Sequence, residues 1–454
     1  MRTLLFDCAL LPEGWAEGVA VSVDFAGDIT AVSVGGEVTA GERVPGCALP
    51  GIPNLHCHAH QRAMAGLAER SGSGNDSFWT WREAMYRYLG AMQPHQLEAV
   101  AAQVYVEMLK AGYTSVAEFQ YLHHDPAGQR YGDVAEMSLR TLLASEQVGI
   151  GMTCLPVLYR YGGLGGQSPV EGQRRFIADA ETFLDLHRSL EIVCDGNPSS
   201  VVGAAPHSLR AVTRELLDEV LSGVGGTGPV HIHVAEQERE VADCLAWSGK
   251  RPVEWLLDNT NVDERWCLIH ATHMSDEETA AVAGTGAVVG LCPTTEANLG
   301  DGLFDAVSFQ SRAGRYGIGS DSNISVSPVE ELRWLEYGQR LRHQRRNVLA
   351  GGAGRSTGRA LLERVLAGGA QACGRDIGRI AVGARADFII LDTEHPTFHG
   401  RSGDELLDCW IFSGSGNRVR DVFVGGRQVV ADEVHVRERE VEERFRQSLD
   451  ELAG

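Results

Sequence analysis

Residues 49–60 read Leu-Pro-Gly-Ile-Pro-Asn-Leu-His-Cys-His-Ala-His. His56 and His58 stand two positions apart, and residues two apart on a strand project from the same face, about 7 Å from each other along the chain. Two imidazoles on one face at a strand's end can hold one metal ion; the alternative is a pair of unrelated polar residues. His60 continues the alternation, but we expect it to lie beyond the strand. The segment therefore predicts a strand that ends in two metal ligands.

Strand-like and helix-like stretches alternate through the middle of the chain. Apolar runs typical of strands end near eight residues, namely His56, Glu118, Leu158, His207, Glu236, His270, Pro293 and Asp321. Helical patterns lie between several of them, including residues 96–110 and 276–282, and Ser275 with Glu278 forms a capping box before the second. This alternation predicts an α/β protein with a (β/α)8 TIM-like barrel over residues 48–375. The active site of such a barrel lies where the C-terminal ends of its strands meet.

Both ends of the chain have a β-rich pattern. Residues 19–32 contain two strand-like runs around a Gly-Asp turn, and similar runs return at 380–391 and 419–426. We therefore predict that residues 1–47 and 376–454 together form one small β-sandwich domain, which ends in a charged surface helix.

The overall composition limits the partners that this chain can have. Its 40 basic and 61 acidic residues give a net charge of −21, which disfavours nucleic acid and anionic membranes. No run of about 18 apolar residues could span a bilayer, and Asp7 comes too early for a signal peptide. The ten cysteines include no Cys-x-x-Cys pair, so we expect reduced thiols and a cytoplasmic protein. A homodimer is the commonest state of a soluble enzyme and is our expectation here.

Histidines and acids close three further predicted strands. His233 and Glu236 follow the fifth strand, His270 the sixth and Asp321 the eighth. Three histidines plus one carboxylate form a hydrolytic zinc set with room for water. We therefore predict that one divalent ion, Zn²⁺ in the first place, is bound by four residues: His56, His58, His233 and Asp321.

Each of these residues also has a simpler interpretation. His231 shares the face of His233 one layer deeper and is the rival ligand, although it could equally be a core histidine. Asp321 could cap a helix, His270 could be structural, and Glu236 could be one more acid of the run 236–240. The joint occurrence of these residues at strand ends, in this order, favours the metal site.

The residues that carry this site resemble the amidohydrolase superfamily. The resemblance rests on Pro50–His58, His233, His270 and the Ser320-Asp321 pair, and it extends to Gly383–Asp387, a segment typical of the family's C-terminal part. It covers essentially the whole chain. It implies the same barrel and the same split β domain.

Within that superfamily, residues 233–236 (His-Val-Ala-Glu) resemble the deaminase branch, which uses one metal ion. The binuclear branch needs a lysine on strand 4, and residues 201–207 contain none. The chain most resembles the formimidoylglutamate deiminase family of histidine degradation, through residues 54–66, 78–82, 118–124 and 205–210. This resemblance implies hydrolysis of N-formimino-L-glutamate to N-formyl-L-glutamate and ammonia.

That chemistry assigns roles to three residues. A metal ion lowers the pKa of its bound water toward about 7, and Asp321 could also accept the water's proton. His270 would orient the nucleophile and stabilise the developing tetrahedral centre. Glu236 would protonate the imino nitrogen, so that ammonia leaves.

A substrate with two carboxylates needs cationic partners. Arg82 and Arg210 are the candidates, because a guanidinium binds a carboxylate with two parallel hydrogen bonds. Tyr121 and His207 would add donors, and Gln61 would line the pocket. Each of the three has another interpretation. Arg82 could instead stack on neighbouring aromatic rings, and Arg210 could simply lie at the start of a helix. Tyr121 could be an aromatic residue of the core.

Two other functions stay open at this point. One is a related aminohydrolase that acts on another amidine or on a heterocycle such as guanine. The other is a non-catalytic scaffold that kept the barrel, although such a protein should have lost metal ligands.

Overall fold

The computed structural model describes residues 1–35, 41–71, 76–414 and 416–453. The strands in these ranges are β1 (Arg2–Leu11), β2 (Gly14–Val23), β3 (Ile29–Val34), β4 (Glu42–Pro50), β5 (Ile52–Cys57), β6 (Tyr113–Gln120), β7 (Gly151–Leu158), β8 (Ser200–Val202), β9 (Ala205–Pro206), β10 (Val230–Val234), β11 (Trp266–His270), β12 (Val288–Leu291), β13 (Arg315–Ile318), β14 (Phe388–Leu391), β15 (Val419–Val424), β16 (Arg427–Ala431) and β17 (Val434–His435).

The α-helices in the same ranges are α1 (Phe78–Leu89), α2 (Pro94–Ala111), α3 (Glu136–Val148), α4 (Ala180–Cys194), α5 (Arg214–Gly223), α6 (Glu238–Ser248), α7 (Pro252–Asn259), α8 (Asp276–Thr285), α9 (Pro293–Leu299), α10 (Ala306–Ser311), α11 (Pro328–His343), α12 (Thr357–Cys373), α13 (Asp404–Phe412) and α14 (Glu438–Ala453). Short 3₁₀ helices cover Ala59–Met64, Glu171–Gln173 and Pro396–Phe398. Over the described ranges, no helix combines the length and the apolar character that crossing a bilayer requires.

The middle of the chain forms two parallel sheets. One contains β5, β6, β7 and β8, with β9 beside β7, and the other contains β10 to β13. Isolated parallel bridges connect the two sheets, between Ala204 and Val230 at one edge and between Cys57 and Asp321 at the other. Every residue of β6 and β7 is buried, as expected for parallel strands covered by helices.

The predicted strand ends agree closely with the observed ones. The strands end at Cys57, Gln120, Leu158, Pro206, Val234, His270, Leu291 and Ile318. The capping box before α8 is present as well. The Ser275 amide donates to Glu278 Oε2 at 2.7 Å, and the Glu278 amide donates to Ser275 Oγ at 3.2 Å. Local patterning is therefore sufficient to position the strand ends on which the site is built.

The strands of the two chain ends form one connected sheet of eight, in the order β17-β16-β15-β14-β4-β1-β2-β3. The expectation was a β-sandwich, but these strands share a single hydrogen-bonded path rather than forming two separate sheets. The reason is that β4 pairs in parallel with β1 and antiparallel with β14. One face of this sheet is buried around Phe6 and Phe388, whose ring centroids are 5.4 Å apart.

Two cysteines contradict the expectation of ten reduced thiols. Cys8 and Cys47 form a disulfide, with their Cα atoms 4.6 Å apart, within the range that such a bond requires. They are directly opposite each other because β1 pairs with β4. A separation of 39 residues carries no signal of this pairing in the sequence.

The C-terminal helix α14 packs against the first long helix of the middle region, α2, rather than standing free in solvent. Arg444 Nη2 lies 2.7 Å from Glu98 Oε1, and Lys110 pairs with Glu438. Val441 is fully buried in this contact. The C-terminal end of the chain is thereby attached to a helix of the parallel-sheet region.

Candidate metal centre and active-site pocket

Four side chains converge where β5 and β10 end and just after β13. These are His56, His58, His233 and Asp321, whose potential ligand atoms all lie within 4.8 Å of one another. His56 Nε2 is 3.1 Å from His233 Nε2 and 3.4 Å from Asp321 Oδ1. All four residues are buried. Donor atoms this close, and shielded from water, form the kind of group that a cation can occupy.

The histidines present the correct ring nitrogen to the centre of this group. His58 Nδ1 lies 3.0 Å from the Phe119 carbonyl, and His233 Nδ1 lies 3.0 Å from the His207 carbonyl. Because a carbonyl only accepts, each Nδ1 carries the proton and each Nε2 offers a lone pair. Burial lowers the pKa of His58 and of His233, and it lowers the pKa of His56 to about 3. The three imidazoles are therefore neutral at physiological pH, as metal ligands must be.

The backbone at the strand ends is held in an unusual conformation. Ala235, His270 and Asp321 have φ values of 52°, 67° and 45°, in the left-handed region that non-glycine residues avoid. Hydrogen bonds maintain it at Asp321, whose amide donates to the His56 carbonyl at 2.9 Å and whose carbonyl accepts from the His58 amide at 3.0 Å. The unusual backbone at His270 and Asp321 therefore lies at the ends of two different strands, beside the donor group.

His270 lies at the edge of the donor group, among carboxylates. Its Nε2 is 3.7 Å from Asp321 Oδ2 and 3.9 Å from Glu236 Oε1, and its Nδ1 is 3.2 Å from Glu296 Oε1. Burial lowers the pKa of His270, but the surrounding carboxylates outweigh burial and raise it to about 10. Burial raises the pKa of Glu236, and the cations nearby offset this only in part. The site therefore contains a cationic imidazole beside a carboxyl group that retains its proton more readily than usual.

One pocket contains all five of the predicted substrate-binding residues. Its lining includes Gln61, Arg82, Tyr121, His207 and Arg210, together with His58, His233, Glu236, His270 and Asp321. Gln61 Nε2 donates to the Tyr121 hydroxyl at 3.0 Å. Apart from His56, the residues proposed for metal binding, proton transfer and substrate binding thus line the same space.

Arg82 stacks on an aromatic ring and also lines the pocket. Its guanidinium carbon lies 4.5 Å from the centroid of the Trp79 ring, so it does stack on a neighbouring aromatic residue. It also lines the pocket, and its buried Nε has no hydrogen-bond partner among the described residues. The stacking therefore orients a guanidinium that retains donor capacity for a ligand.

Arg210 is already paired with two buried acids. Its Nη1 is 2.9 Å from Glu240 Oε2, and its Nη2 is 3.4 Å from Glu236 Oε2. Burial disfavours the charged guanidinium, but the two carboxylates outweigh burial and raise the pKa of Arg210. The predicted carboxylate-binding residue and the predicted proton donor are consequently in direct contact.

The sequence pattern of a known family, the amidohydrolase family, matches residues 47–429. The chain belongs to the amidohydrolase family. It is 52% identical over 452 residues to formimidoylglutamate deiminase of Pseudomonas aeruginosa, with 100% of both chains covered. It is 28% identical over 398 residues to 8-oxoguanine deaminase of the same species, with 85% of this chain and 82% of that relative covered.

Two solved structures are similar to this protein along the whole chain. An amidohydrolase from Brucella melitensis has a TM-score of 0.94 and 49% sequence identity, with 100% of both chains covered. An adenosine deaminase from Xanthomonas campestris, solved with bound zinc, has a TM-score of 0.82 and 20% identity, with 100% of this chain and 98% of that chain covered. The second similarity concerns the fold alone.

The two histidines left open as additional ligands do not join the donor group of this amidohydrolase. His231 Nε2 lies 2.8 Å from the Ala372 carbonyl on α12, which directs the ring away from the centre. His60 is buried, and its ring centroid is 5.9 Å from that of His58. Neither residue belongs to the four-residue group.

Two buried carboxylates of the amidohydrolase site escaped the sequence analysis. Glu240 Oε2 accepts from Arg210 Nη1 and also from the Glu236 amide at 3.1 Å, while Glu296 Oε1 accepts from the Cys292 amide at 2.9 Å beside His270. Glu240 stands four residues after Glu236, but nothing local distinguishes it from exposed Glu238 in the same run. Glu296 lies in the first turn of the helix that begins at Pro293, directly after β12. Its place just beyond a strand end is the one feature of the sequence that could have indicated a role in the site.

A buried amide and hydroxyl network also holds the two ligand strands together. Asn54 Nδ2 donates to Ser320 Oγ at 2.7 Å, and Ser320 Oγ donates to Asn323 Oδ1 at 2.7 Å. Asn323 Nδ2 in turn donates to the His58 carbonyl at 3.0 Å. These residues flank His56, His58 and Asp321, and they link positions some 266 residues apart along the chain.

Proposed function

We propose that this amidohydrolase hydrolyses N-formimino-L-glutamate to N-formyl-L-glutamate and ammonia, the deimination step of histidine degradation. The observation that carries the proposal is that His58, His233 and Asp321 of the three-histidine, one-carboxylate donor group line the same pocket as two arginines. Identity of 52% over the full length to a formimidoylglutamate deiminase supports the same reaction. It is a hydrolysis of a carbon–nitrogen bond in a linear amidine.

His56, His58, His233 and Asp321 would hold one divalent ion, and Zn²⁺ is our first choice. The neutral Nε2 atoms and one carboxylate fit a divalent cation chemically, and a His/Asp set accepts several metals of the same series. When bound, such an ion supplies Lewis-acid activation of water. A single ion fits better than two, because residues 201–207 contain no lysine that could bridge a pair.

Three residues would move protons or stabilise charge. Asp321 Oδ2 would accept the proton that water loses, because the other carboxylate oxygen, Oδ1, is the one that lies beside the ligand nitrogens of His56 and His58. His270, a cation held by Glu296, would stabilise negative charge as the tetrahedral centre forms. Glu236, with its raised pKa, would donate a proton to the imino nitrogen, so that ammonia and not an amide anion leaves.

Arg82 and Arg210 would bind the two carboxylates of the substrate. Planar guanidinium groups suit carboxylates better than an ammonium would. Tyr121 and His207 would add hydrogen-bond donors, and Gln61 would position the Tyr121 hydroxyl that its amide contacts. In the unliganded pocket Arg210 contacts Glu236 and Glu240, so an arriving substrate carboxylate would share it with them.

The domain architecture, the cellular location and the oligomeric state belong to the same proposal. We infer that the two parallel sheets close into one (β/α)8 barrel over residues 48–375, supported by the bridges at both sheet edges. Residues 1–47 and 376–454 would form the second domain around the eight-stranded sheet. The expectations of a cytoplasmic homodimer that binds neither nucleic acid nor membrane stay predictions.

The test is ammonia release by the purified, zinc-loaded protein with N-formimino-L-glutamate and, separately, with guanine. We expect the linear amidine to be the faster substrate. Faster turnover of guanine would instead favour the second candidate, a heterocycle aminohydrolase, which the 28% identity to an 8-oxoguanine deaminase supports less strongly. Absence of bound metal together with absence of activity after zinc addition would favour a non-catalytic scaffold.

A further inference from the structure

Two tyrosines line the active-site pocket without a part in the reaction proposed above. Tyr86 lies on α1 and Tyr159 directly follows β7, and both belong to the pocket lining. Tyr86 is 8% and Tyr159 5% exposed. Because buried hydroxyl groups are normally hydrogen-bonded, the partners of these two groups show what capacity remains for a ligand.

The side-chain amide of Gln173 sets the direction of both hydroxyl groups. Gln173 is buried at the end of the short 3₁₀ helix Glu171–Gln173, and its Oε1 accepts from the Val170 amide at 2.8 Å. Its Nε2 therefore faces the tyrosines, where it donates to Tyr159 Oη at 2.7 Å and, over a longer distance, to Tyr86 Oη at 3.4 Å. Each hydroxyl oxygen thus accepts from Gln173, and its own proton is left to be donated elsewhere.

The two hydroxyl protons are not both used within the protein. A hydrogen bond between Tyr86 and Tyr159 occupies one of them at most, and neither hydroxyl donates to a carbonyl or carboxylate group of the described residues. Burial and Tyr86 raise the pKa of Tyr159, and Arg82 and Arg210 offset this only in part. Tyr159 is therefore a neutral phenol, and at least one O–H group of the pair is free to donate to a ligand in the pocket.

The tyrosine pair lies beside the guanidinium group of Arg82. The Arg82 guanidinium carbon is 5.6 Å from the centroid of the Tyr86 ring, and its charge acts on the Tyr159 hydroxyl. Arg82 Nε has no hydrogen-bond partner among the described residues, whereas Arg210 is already paired with two acids. The free guanidinium donor and the free hydroxyl donor therefore belong to the same part of the pocket.

The rings of this group are packed around Phe176. The Phe176 ring centroid is 5.8 Å from that of Tyr86 and 5.7 Å from that of Tyr159. Tyr159 also contacts His207, with ring centroids 4.6 Å apart. A Cβ atom added to Gly172 would lie 2.7 Å from Tyr86 Cδ2, so the Tyr86 ring packs directly on the 3₁₀ helix. Donors that are held in place before a ligand arrives cost little entropy when it binds.

We propose that Tyr159, with Tyr86 beside it, is a specificity-determining residue whose hydroxyl group donates to the substrate carboxylate that Arg82 binds. Gln173 is its positioning residue. A carboxylate accepts from all of these donors, whereas a carboxamide in the same place would turn its own N–H groups toward them. The pocket should accordingly select a diacid over its monoamide. The inference rests on the proposed function, since it specifies how the substrate of that reaction is recognised.

Steady-state kinetics of Tyr159→Phe with N-formimino-L-glutamate test the proposal, because phenylalanine keeps the ring contacts and removes only the hydroxyl group. We expect KM to rise at least about tenfold, the effect of losing a hydrogen bond to a charged group. The value of kcat should change less than about threefold, since the hydroxyl binds a part of the substrate that does not react. Tyr113→Phe is the matched control: Tyr113 is fully buried outside the pocket lining, and its hydroxyl has no hydrogen-bond partner within the described ranges. An unchanged KM in Tyr159→Phe, or an equal rise in the control, would overturn the proposal.

Calorimetric binding of the product N-formyl-L-glutamate to the zinc-loaded protein gives a readout that does not require turnover. We expect Tyr159→Phe to bind this diacid about tenfold more weakly. The wild-type protein should prefer the diacid to at least one of its monoamides, N-formyl-L-glutamine and N-formyl-L-isoglutamine, and Tyr159→Phe should reduce that preference. Combined with Arg82→Lys, the loss of affinity should be smaller than the product of the two single losses, because both side chains hold the same carboxylate. An unchanged preference, or losses that simply multiply, would overturn the proposal.

Gln173→Met tests the positioning role, since methionine has a similar length but does not donate to the tyrosines. KM should rise while kcat stays near the wild-type value. A lower thermal stability with an unchanged KM would show that Gln173 has a structural role only.

Turnover and binding together separate this proposal from the reaction itself. If the wild-type protein binds N-formyl-L-glutamate with the expected dependence on Tyr159 but releases no ammonia from N-formimino-L-glutamate, the proposed reaction fails and the carboxylate subsite stands. If ammonia is released and neither KM nor product binding changes in Tyr159→Phe, the reaction stands and the subsite is refuted.

Discussion

Replacing Glu240 by glutamine tests how the proton donor and the carboxylate-binding arginine are positioned together. Glu240 is 1% exposed and accepts three hydrogen bonds, from Arg210 Nη1 at 2.9 Å, from the Glu236 amide at 3.1 Å and from the Ala235 amide at 3.3 Å. Glutamine preserves the shape of the side chain, but it removes the charge and replaces one acceptor oxygen by an NH₂ group. We expect Arg210 to lose its partner and to move toward Glu236.

The size of the effect follows from the bond that is lost. A hydrogen bond to a charged group contributes about 1.5–3 kcal/mol, and about 1.4 kcal/mol corresponds to a factor of ten. We therefore expect kcat/KM to fall about 10- to 100-fold. Most of the loss should be in kcat, because an Arg210 that shifts toward Glu236 lowers the pKa of that carboxyl group and removes the proton it must donate. The fall of activity at alkaline pH should accordingly begin at a lower pH in the variant.

The assay is ammonia release over a pH series, with circular dichroism and metal content measured on the same samples. Glu238→Gln is the matched control: it removes the same charge from the first turn of α6, but Glu238 is exposed. We expect that control to behave as the wild-type protein. If Glu240→Gln is folded and metal-bound and differs less than twofold from the control in kcat and in its pH profile, the reasoning is refuted.

Four further predictions address the site and its support. His58→Ala should bind less than half the wild-type zinc by elemental analysis, and normal metal content would remove it from the ligand set. Glu236→Gln should keep its metal but lose about 10²–10⁴ in kcat; near-normal turnover would exclude it as the proton donor. Arg82→Lys should raise KM about tenfold or more by losing a bidentate contact, and Arg239→Lys, outside the pocket lining, should not. Burial raises the pKa of Glu118 from 4.5 to about 7, so the native state retains this proton longer and stability should fall as pH rises from about 4.5 to 7. Urea unfolding should show a weaker decline in Glu118→Gln, and parallel curves for both proteins would contradict this.

The strand ends were predictable because their signal is local. An apolar run followed by a polar, metal-binding or acidic residue marks the C-terminal end of a parallel strand, as at His56, His233 and His270. Because strands and helices alternate along the chain, the strands are expected to be parallel, and their C-terminal ends should then lie at the same end of the barrel. The five substrate-binding candidates were named for a different reason, since the family resemblance implied a substrate with two carboxylates and therefore cationic and hydrogen-bonding partners.

The residues that sequence analysis missed make contacts with residues that are far away along the chain. Glu240 and Glu296 support Arg210 and His270 through contacts that exist only after separate strands have been brought together. Asn54 and Ser320 are 266 positions apart, and Cys8 meets Cys47 only because β1 and β4 are neighbours in the sheet. Apart from Glu296, whose position after Pro293 is a weak signal, each of these side chains is indistinguishable in its local sequence from an ordinary polar residue or a free thiol.

The sequence by itself predicted an α/β fold and a group of candidate metal ligands at strand ends, because hydrophobic periodicity and residue chemistry are local properties, and its resemblance to the formimidoylglutamate deiminase family implied an anionic substrate. Only the tertiary structure decided between His233 and His231, since the carbonyl of Ala372 orients His231 away from the centre. It also decided that Arg82 both stacks on Trp79 and lines the pocket, and that Arg210 contacts Glu236. Those outcomes depend on which distant strands pack side by side, and a pattern along one chain does not contain that geometry.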